Sequence, residues 1–291
     1  MVDKSPSAAP KGAGIRSAEK DRVSTCTLAD EIANSVICKY RLVTEKSDVQ
    51  SVLAGIVATI HDSQIEVISF ATGNRFDQVV SSSLRGNNLR DCHAEVLARR
   101  AFKHWLINEW VKLQTKSGES FFFVLSDNFK LVLKDGIKIF LYVSSAPCGN
   151  ACIRKWGQPK KEIFREDLGS LQLPEDKHDV FHAHAKQEGQ TALSYKGATS
   201  ISSCSDKILK WNVLGLQGSR LRELCECPLK ADGIVIGRKF AHVHARRAFC
   251  CRLDTKGIHP AIRNNVHHPV LMCTAIKFDE GMMIFIITIM H

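Results

Sequence analysis

The chain has 291 residues, long for one ordinary domain and short for two full-sized ones. Hydrophobic residues make up 44% and charged residues 24%, close to the globular average, which excludes a disordered, collagen-like or coiled-coil chain. Lys and Arg number 40 against 30 Asp and Glu, a formal charge of +10 that favours a polyanionic partner: nucleic acid first, then phosphates or a membrane surface. A plain basic soluble enzyme is the competing explanation of that charge.

Residues 1–24 are rich in Ser, Ala, Gly, Lys and Pro and read as a flexible basic tail, with no apolar signal region. From Leu28 the spacing of LADEIANSVICKYRLV predicts a helix, with Asp30 and Glu31 placed in its first turn, where the helix dipole favours acids. Residues 51–60 and 64–73 read as two strands of a hairpin, and 91–112 as a long apolar-periodic helix. FKLVLKDGIKIFLYVSS, 129–145, reads as a second hairpin turning at Asp135-Gly136. A turn and a helix follow over 146–160, and a polar, His-rich loop over 157–200. A helix over 205–224, a strand over 231–237 and a helix over 245–253 complete the series. Alternating strands and helices predict an α/β sandwich around a mixed sheet, with no internal repeat.

The 11 cysteines are an odd number spread along a chain too large for a disulfide scaffold, so reduced thiols and a metal fit better than disulfides. The longest apolar run, MMIFIITIM at 282–290, is about half of the roughly 20 residues that a membrane span needs. An intracellular protein, cytoplasmic or nuclear, is expected, without membrane association and without an evident protein partner.

Chemistry concentrates in DCHAEVLARRAFKHWL, 91–106. His93 followed by Glu95 fits one half of the zinc nucleobase deaminase signature. An imidazole would hold Zn²⁺, which acidifies water, and a neighbouring carboxylate would move the proton. Alone, a His and a Glu at a helix start are more often solvated. SSAPCGNACI, 144–153, supplies Pro147-Cys148, the other half, with Cys148 near a helix N-terminus that favours a thiolate. The signature expects a further Cys three residues on, where this chain has Ala151. Either Cys152 is the third ligand in altered geometry or the ligand lies elsewhere, Cys204 being the obvious candidate. Three protein ligands leave the open position that a catalytic zinc needs.

CHAEVLARRAF, APCGNA and CSDKILKWNVLGLQGSRL, in this order, resemble the RNA-editing adenosine deaminases, the family of the adenosine deaminases acting on RNA and the tRNA-specific adenosine deaminase. The third segment is the most diagnostic, and the resemblance covers roughly 28–275. It implies a three-layer, cytidine-deaminase-like α/β sandwich with helices on both faces of a mixed sheet. It also implies an editase domain over 25–291 that lacks the family's C-terminal part. His93, Cys148 and Cys204 take the zinc-ligand roles by this resemblance, and Glu95 the proton-shuttling role. The implied reaction is hydrolytic deamination of adenosine to inosine in RNA, on the tRNA-specific branch, beside the anticodon. The competing expectations are a catalytically silent form that binds RNA or inositol phosphate, and a deaminase of free nucleosides or cytosine.

Helical spacing puts Arg100 on the face of His93 and Arg99 one turn behind Glu95, on a helix otherwise clothed in apolar residues. Buried arginines need an anionic partner. The family resemblance implies inositol hexakisphosphate, with Arg99, Arg100, Lys207 and Lys210 at matching ligand positions; pairing with Asp91, Asp206 and surface carboxylates is the plainer alternative. Asn74 and Arg75 resemble the family's substrate-edge segment. Cys225 with Cys227, and Cys250 with Cys251, lack zinc-finger spacing and read as half-buried thiols. His182, His184, His242, His244, His267 and His268 read as solvated pairs. Asn150 stands where the family has Asp.

Overall fold

The computed structural model describes residues 14–44, 51–61, 63–76, 91–115, 118–152, 203–251, 260–278 and 288–289. Its centre is a six-stranded mixed sheet built from β1 (Leu53–Ile60), β2 (Gln64–Thr72), β7 (Ile137–Ser145), β8 (Gly233–Arg238), β9 (Val270–Cys273) and β10 (Thr288–Ile289), in the order β10-β2-β1-β7-β8-β9. The β10/β2, β2/β1 and β1/β7 pairs are antiparallel, and β7/β8 and β8/β9 are parallel.

Side-chain alternation along these strands feeds two cores. Phe140, Tyr142 and Val235 point to one face, beneath α1 (Gly14–Val43), and meet Ala29, Ile32, Ala33, Val36, Ile37 and Tyr40, the apolar stripe of that helix. Ile139, Leu141, Val143, Ile234 and Ile236 point to the other face. There they meet α2 (Ala94–Leu113), α3 (Cys204–Leu214) and α4 (His242–Phe249). Helices therefore cover both faces of the sheet, as a three-layer α/β fold requires. Each fully buried Ile, Val or Phe in these layers contributes about 1.5–3 kcal/mol. Gly55 lets α1 approach: a Cβ there would lie 2.8 Å from Val36 Cγ1.

Several elements differ from the sequence-based expectation, each for a physical reason. The first helix begins at Gly14, inside the segment that composition marks as a tail. Asp30 is therefore mid-helix, and its carboxylate accepts from Thr274 Oγ1 at 2.5 Å and the Ala275 amide at 3.0 Å instead of capping a helix start. The turn at Asp135-Gly136 forms, with Gly136 at φ +77°, but it does not close a hairpin. β6 (Leu131–Leu133) pairs back to β5 (Phe123–Leu125), and β7 leaves to lie between β1 and β8. Being buried on both faces, β7 reads as a near-continuous apolar run, the mark of a central strand. The helix expected over 205–224 ends at Leu214, because Gly215 takes φ +85°, and a 3-10 helix follows at Ser219–Leu224. α5 (Pro260–Asn264) and the edge strand β9 were not anticipated. The loop read over 157–200 and most of the run at 282–290 lie outside the described residues.

No helix among the described residues is long and apolar enough to cross a membrane.

Candidate active site

Three elements converge at one end of the α2 face. The short strand β4 (Asp91–His93) runs straight into α2, so His93 sits at the helix entrance with Glu95 in the first turn. The turn after β7 carries Cys148, and α3 begins on Cys204. One ligand atom from each of His93, Cys148 and Cys204 lies within 4.8 Å of the other two. Cys152, four residues beyond Cys148, packs into the apolar core outside this group.

The turn and α3 are fastened by a dense set of bonds. The Ser205 amide and hydroxyl both donate to the Cys148 carbonyl, at 2.9 and 2.8 Å, and the Ala151 amide donates to Ser205 Oγ at 3.1 Å. The Cys204 amide donates to Cys148 Sγ at 3.2 Å, so the free N–H of a helix start faces the sulfur. Ser203 and Asp206 cap α3 reciprocally: Ser203 Oγ accepts from the Asp206 amide at 3.2 Å, and the Ser203 amide donates to Asp206 Oδ2 at 3.1 Å. Gly149, at φ +96°, is obligatory, since a Cβ there would meet Ser203 Oγ at 2.1 Å.

Asp91 orients the histidine. Its Oδ1 accepts from His93 Nδ1 at 2.8 Å and from the His93 amide at 3.2 Å. With the Nδ1 proton committed to that carboxylate, Nε2 is left to face a ligand. The other carboxylate oxygen, Oδ2, takes the Lys207 ammonium from α3. Burial works to raise the Asp91 pKa, but the bond to His93 and the Lys207 charge prevail and hold it well below the usual carboxylate range.

The neighbouring ionisable groups share charge through the same contacts. Burial would lower the His93 pKa, yet hydrogen bonds to Asp91 and Cys148 hold it up at about 10. Bonded by the Cys204 thiol and then by His93, Cys148 is held as the thiolate of the pair, well below its usual value. The Cys204 thiol is pushed up by its bond to Cys148 and by burial. Glu95 is 3% exposed, and burial raises its pKa to about 7. One imidazole nitrogen and two sulfurs, one already a thiolate, suit a borderline-soft divalent ion such as zinc.

Other expected residues fall around this centre. Asn74, on β3 (Asn74–Phe76), is exposed and stands directly opposite His93 in the β3/β4 ladder. Arg75 pairs with Cys92 in the same ladder, and its side chain lies outside the described residues. Arg99 donates through Nε to the Leu216 carbonyl at 2.7 Å, and its guanidinium lies 5.0 Å from the centre of the Trp211 ring. Burial lowers its pKa to about 10. No carboxylate among the described residues pairs with Arg99 or Arg100. Lys103 belongs to the same patch, its pKa lowered by burial and by Arg99, Arg220 and Arg100. Lys207 is engaged by Asp91, and Lys210 is exposed. Arg247 donates to Asn150 Oδ1 at 3.3 Å.

Cys225 is buried and Cys227 exposed, and they join no ligand group among the described residues. His182 and His184 lie outside the described residues. Asp91 as an orienting residue, Trp211 and Lys103 escaped the reading of the sequence. Asp91 lies two residues before His93 on a strand, hence on the same side, and Trp211 lies seven after Cys204, two turns along α3. Those spacings were the available signals.

The chain matches the adenosine-deaminase (editase) domain family over residues 69–281. It is 28% identical over 221 residues to the double-stranded RNA-specific adenosine deaminase of Mus musculus, covering 71% of this chain and 18% of that protein. With the double-stranded RNA-specific editase B2 of the same organism, identity is 31% over 276 residues, 85% of this chain and 35% of the other. With the tRNA-specific adenosine deaminase 1 of Saccharomyces cerevisiae it is 32% over 237 residues, 72% of this chain and 58% of the other. The chain thus spans less than two thirds of each of these relatives. The family match extends over most of the chain and takes in β4, the whole of α2, the Cys148 turn and α3, and the chain belongs to the adenosine-deaminase (editase) domain family.

Proposed function

We propose that this chain catalyses the hydrolytic deamination of adenosine to inosine in RNA, at a zinc centre held by His93, Cys148 and Cys204. The observation that carries this reading is the grouping of those three ligand atoms within 4.8 Å beside the buried carboxyl of Glu95, in an editase domain. When bound, zinc makes water a competent nucleophile near neutral pH. Glu95, with its pKa near 7, would accept one proton from the attacking water and give it to the ring nitrogen, then carry the second, from the hydroxyl so formed on the ring carbon, to the leaving amine. Adenosine and water go to inosine and ammonia, and the carboxyl ends the cycle as it began. Asp91 keeps His93 in one tautomer, and Lys207 keeps Asp91 ionised. Asn74, opposite His93 on the exposed rim, and Arg75 beside it would meet the RNA around the target base. Such an enzyme takes the base out of the stack, and a chain of net charge +10 supplies phosphate attraction to help.

As substrate we put forward tRNA, near the anticodon. The 32% identity to the tRNA-specific relative supports that choice, and the 31% identity to the double-stranded RNA-specific editase B2 makes duplex RNA the alternative that the assay must separate. Inositol hexakisphosphate is the anion we assign to the patch behind the centre. Arg99 and Arg100 fit a polyphosphate as they stand, because the two half-buried guanidinium groups have no carboxylate partner among the described residues. Lys207 and Lys210 would close on it from α3, with Lys207 shared between Asp91 and a phosphate. An intracellular setting, cytoplasm or nucleus, is our reading of 11 cysteines spread along a chain too large for a disulfide scaffold. Incubating zinc-loaded chain with bulk tRNA or with double-stranded RNA, then measuring inosine by mass spectrometry, tests the reading. Inosine in tRNA supports it, and inosine only in duplex RNA moves the substrate to the other branch. RNA binding without inosine would mean a silent binding protein.

A further inference from the structure

Near the C-terminal end of α3, which Cys204 begins, α4 ends on two adjacent cysteines. Cys250 is 2% exposed and Cys251 is half-buried, and their sulfurs lie 3.5 Å apart. From the segment entering β9, His268 brings Nδ1 to 3.8 Å from Cys251 Sγ. One ligand atom from each of the three lies within 4.8 Å of the others, as in the His93 group. A tetrahedral ion with bonds of about 2.3 Å to sulfur and about 2.0 Å to nitrogen holds two sulfurs roughly 3.8 Å apart, and sulfur and nitrogen about 3.5 Å apart. The observed separations come within a few tenths of an ångström of both values.

We propose that Cys250, Cys251 and His268 form a second metal site, for a thiophilic d¹⁰ cation such as Zn²⁺ or Cu⁺, which clips the end of α4 to the entrance of β9. Three features beyond proximity support it. Both arms hang on one buried residue of α3: the Asn212 side chain donates through Nδ2 to the Phe249 carbonyl at 2.9 Å, and the Asn212 backbone carbonyl accepts from the His267 amide at 3.2 Å. The ligands are thus positioned by α3, eight residues along from Cys204, before any ion arrives. Arg246 Nε donates to Cys251 Sγ at 3.2 Å, an outer-shell bond that orients the sulfur. Finally, the site lies at a helix C-terminus, where the dipole favours a cation. Binding is balanced by proton release: Zn²⁺ and two thiols give a neutral dithiolate complex and two protons, with the Cys250 proton leaving its present acceptor, the Arg246 carbonyl at 3.0 Å. His268 is exposed, so the ion is reachable from solvent and one coordination position stays open to water.

The test uses the full chain, reduced and loaded separately with Zn²⁺ or anaerobic Cu⁺, and reads bound metal after gel filtration. About two equivalents of zinc are expected in the unsubstituted chain, and about one in Cys251→Ser and in His268→Ala, which lie outside the core and should leave the circular dichroism spectrum unchanged. Cys204→Ser should also fall to about one, and Cys204→Ser with Cys251→Ser to none, so the two centres are read independently. Copper uptake alone, lost in Cys251→Ser and His268→Ala, would assign Cu⁺ rather than Zn²⁺ to the site. A single equivalent of zinc that Cys204→Ser removes and Cys251→Ser leaves intact, together with copper uptake that Cys251→Ser does not lower, would overturn the proposal. So would unchanged binding in His268→Ala, or an intact mass showing a Cys250–Cys251 disulfide in the protein as isolated.

Discussion

Replacing Asp91 with asparagine would strike a carboxylate that serves two cations at once. Its Oδ1 accepts from His93 Nδ1 at 2.8 Å and its Oδ2 takes Lys207, at a position only 9% exposed. Asparagine keeps the shape but turns one oxygen into a donor. Aimed at Lys207, the amide nitrogen meets an ammonium; aimed at His93, it meets Nδ1–H. Either way one buried donor is stranded, at a cost of about 1–3 kcal/mol. Outer-shell partners of metal-bound histidines are worth about 10–100-fold in metal affinity. At about 1.4 kcal/mol per decade that is about 1.4–2.7 kcal/mol, the same range reached independently. Zinc affinity of Asp91→Asn should therefore fall by one to two decades in competition against a chromophoric chelator, read in the Cys251→Ser background to isolate this centre. Adding Lys207→Met removes the stranded ammonium, so the thermal midpoint should recover while the affinity does not. Unchanged zinc affinity in Asp91→Asn would refute the claim that this carboxylate holds His93 in its ligating form.

Cys204→Ala should abolish zinc binding at the first centre while Cys152→Ala leaves it intact, and the reverse result in metal analysis would reassign the third ligand. Gly149→Ala should destabilise the fold by about 1–3 kcal/mol in chemical denaturation, because its φ of +96° and the 2.1 Å approach to Ser203 Oγ both oppose a side chain. Ser203→Ala should cost about 1 kcal/mol through loss of the α3 cap. Zinc affinity should climb as pH rises. In the metal-free protein His93 stays protonated up to about 10 and the Cys204 thiol is held up as well, so binding must displace protons and lowering the pH favours the free state. Calorimetry in buffers of different ionisation enthalpy would detect that release, and a pH-independent affinity would contradict it.

How far the sequence could be read depends on whether the deciding forces are local. β1, β2 and β8 announce themselves as short apolar runs between turn signals, and α2 through apolar residues at helical spacing, because these signals are carried by each segment's own residues. The partnership of β7 does not follow from Asp135-Gly136: the turn is local, but pairing is decided by burial on both faces in the middle of the sheet. Gly215 ends α3 at a positive φ that glycine adopts without a Cβ penalty, although the apolar spacing runs on past it. At the site, His93, Glu95 and Cys148 stand in recognisable spacing, whereas Cys204 needed a resemblance to choose it over Cys152. Cys250 and Cys251 look unremarkable in sequence because their third partner, His268, is 17 residues away and joined through Asn212 rather than through any motif.

The claim at the centre of this account is that Glu95 moves the proton at a metal site that deaminates adenosine in RNA. The most direct measurement is inosine released from RNA by zinc-loaded chain, compared with Glu95→Gln at equal zinc content. Glutamine keeps the size and hydrogen bonding of the side chain but cannot act as a base, and general acid–base catalysis contributes about 10²–10⁴-fold. The account predicts inosine formation by the unsubstituted chain and a fall of at least about a hundredfold in the variant, with zinc retained. Equal inosine yields from both proteins would contradict it.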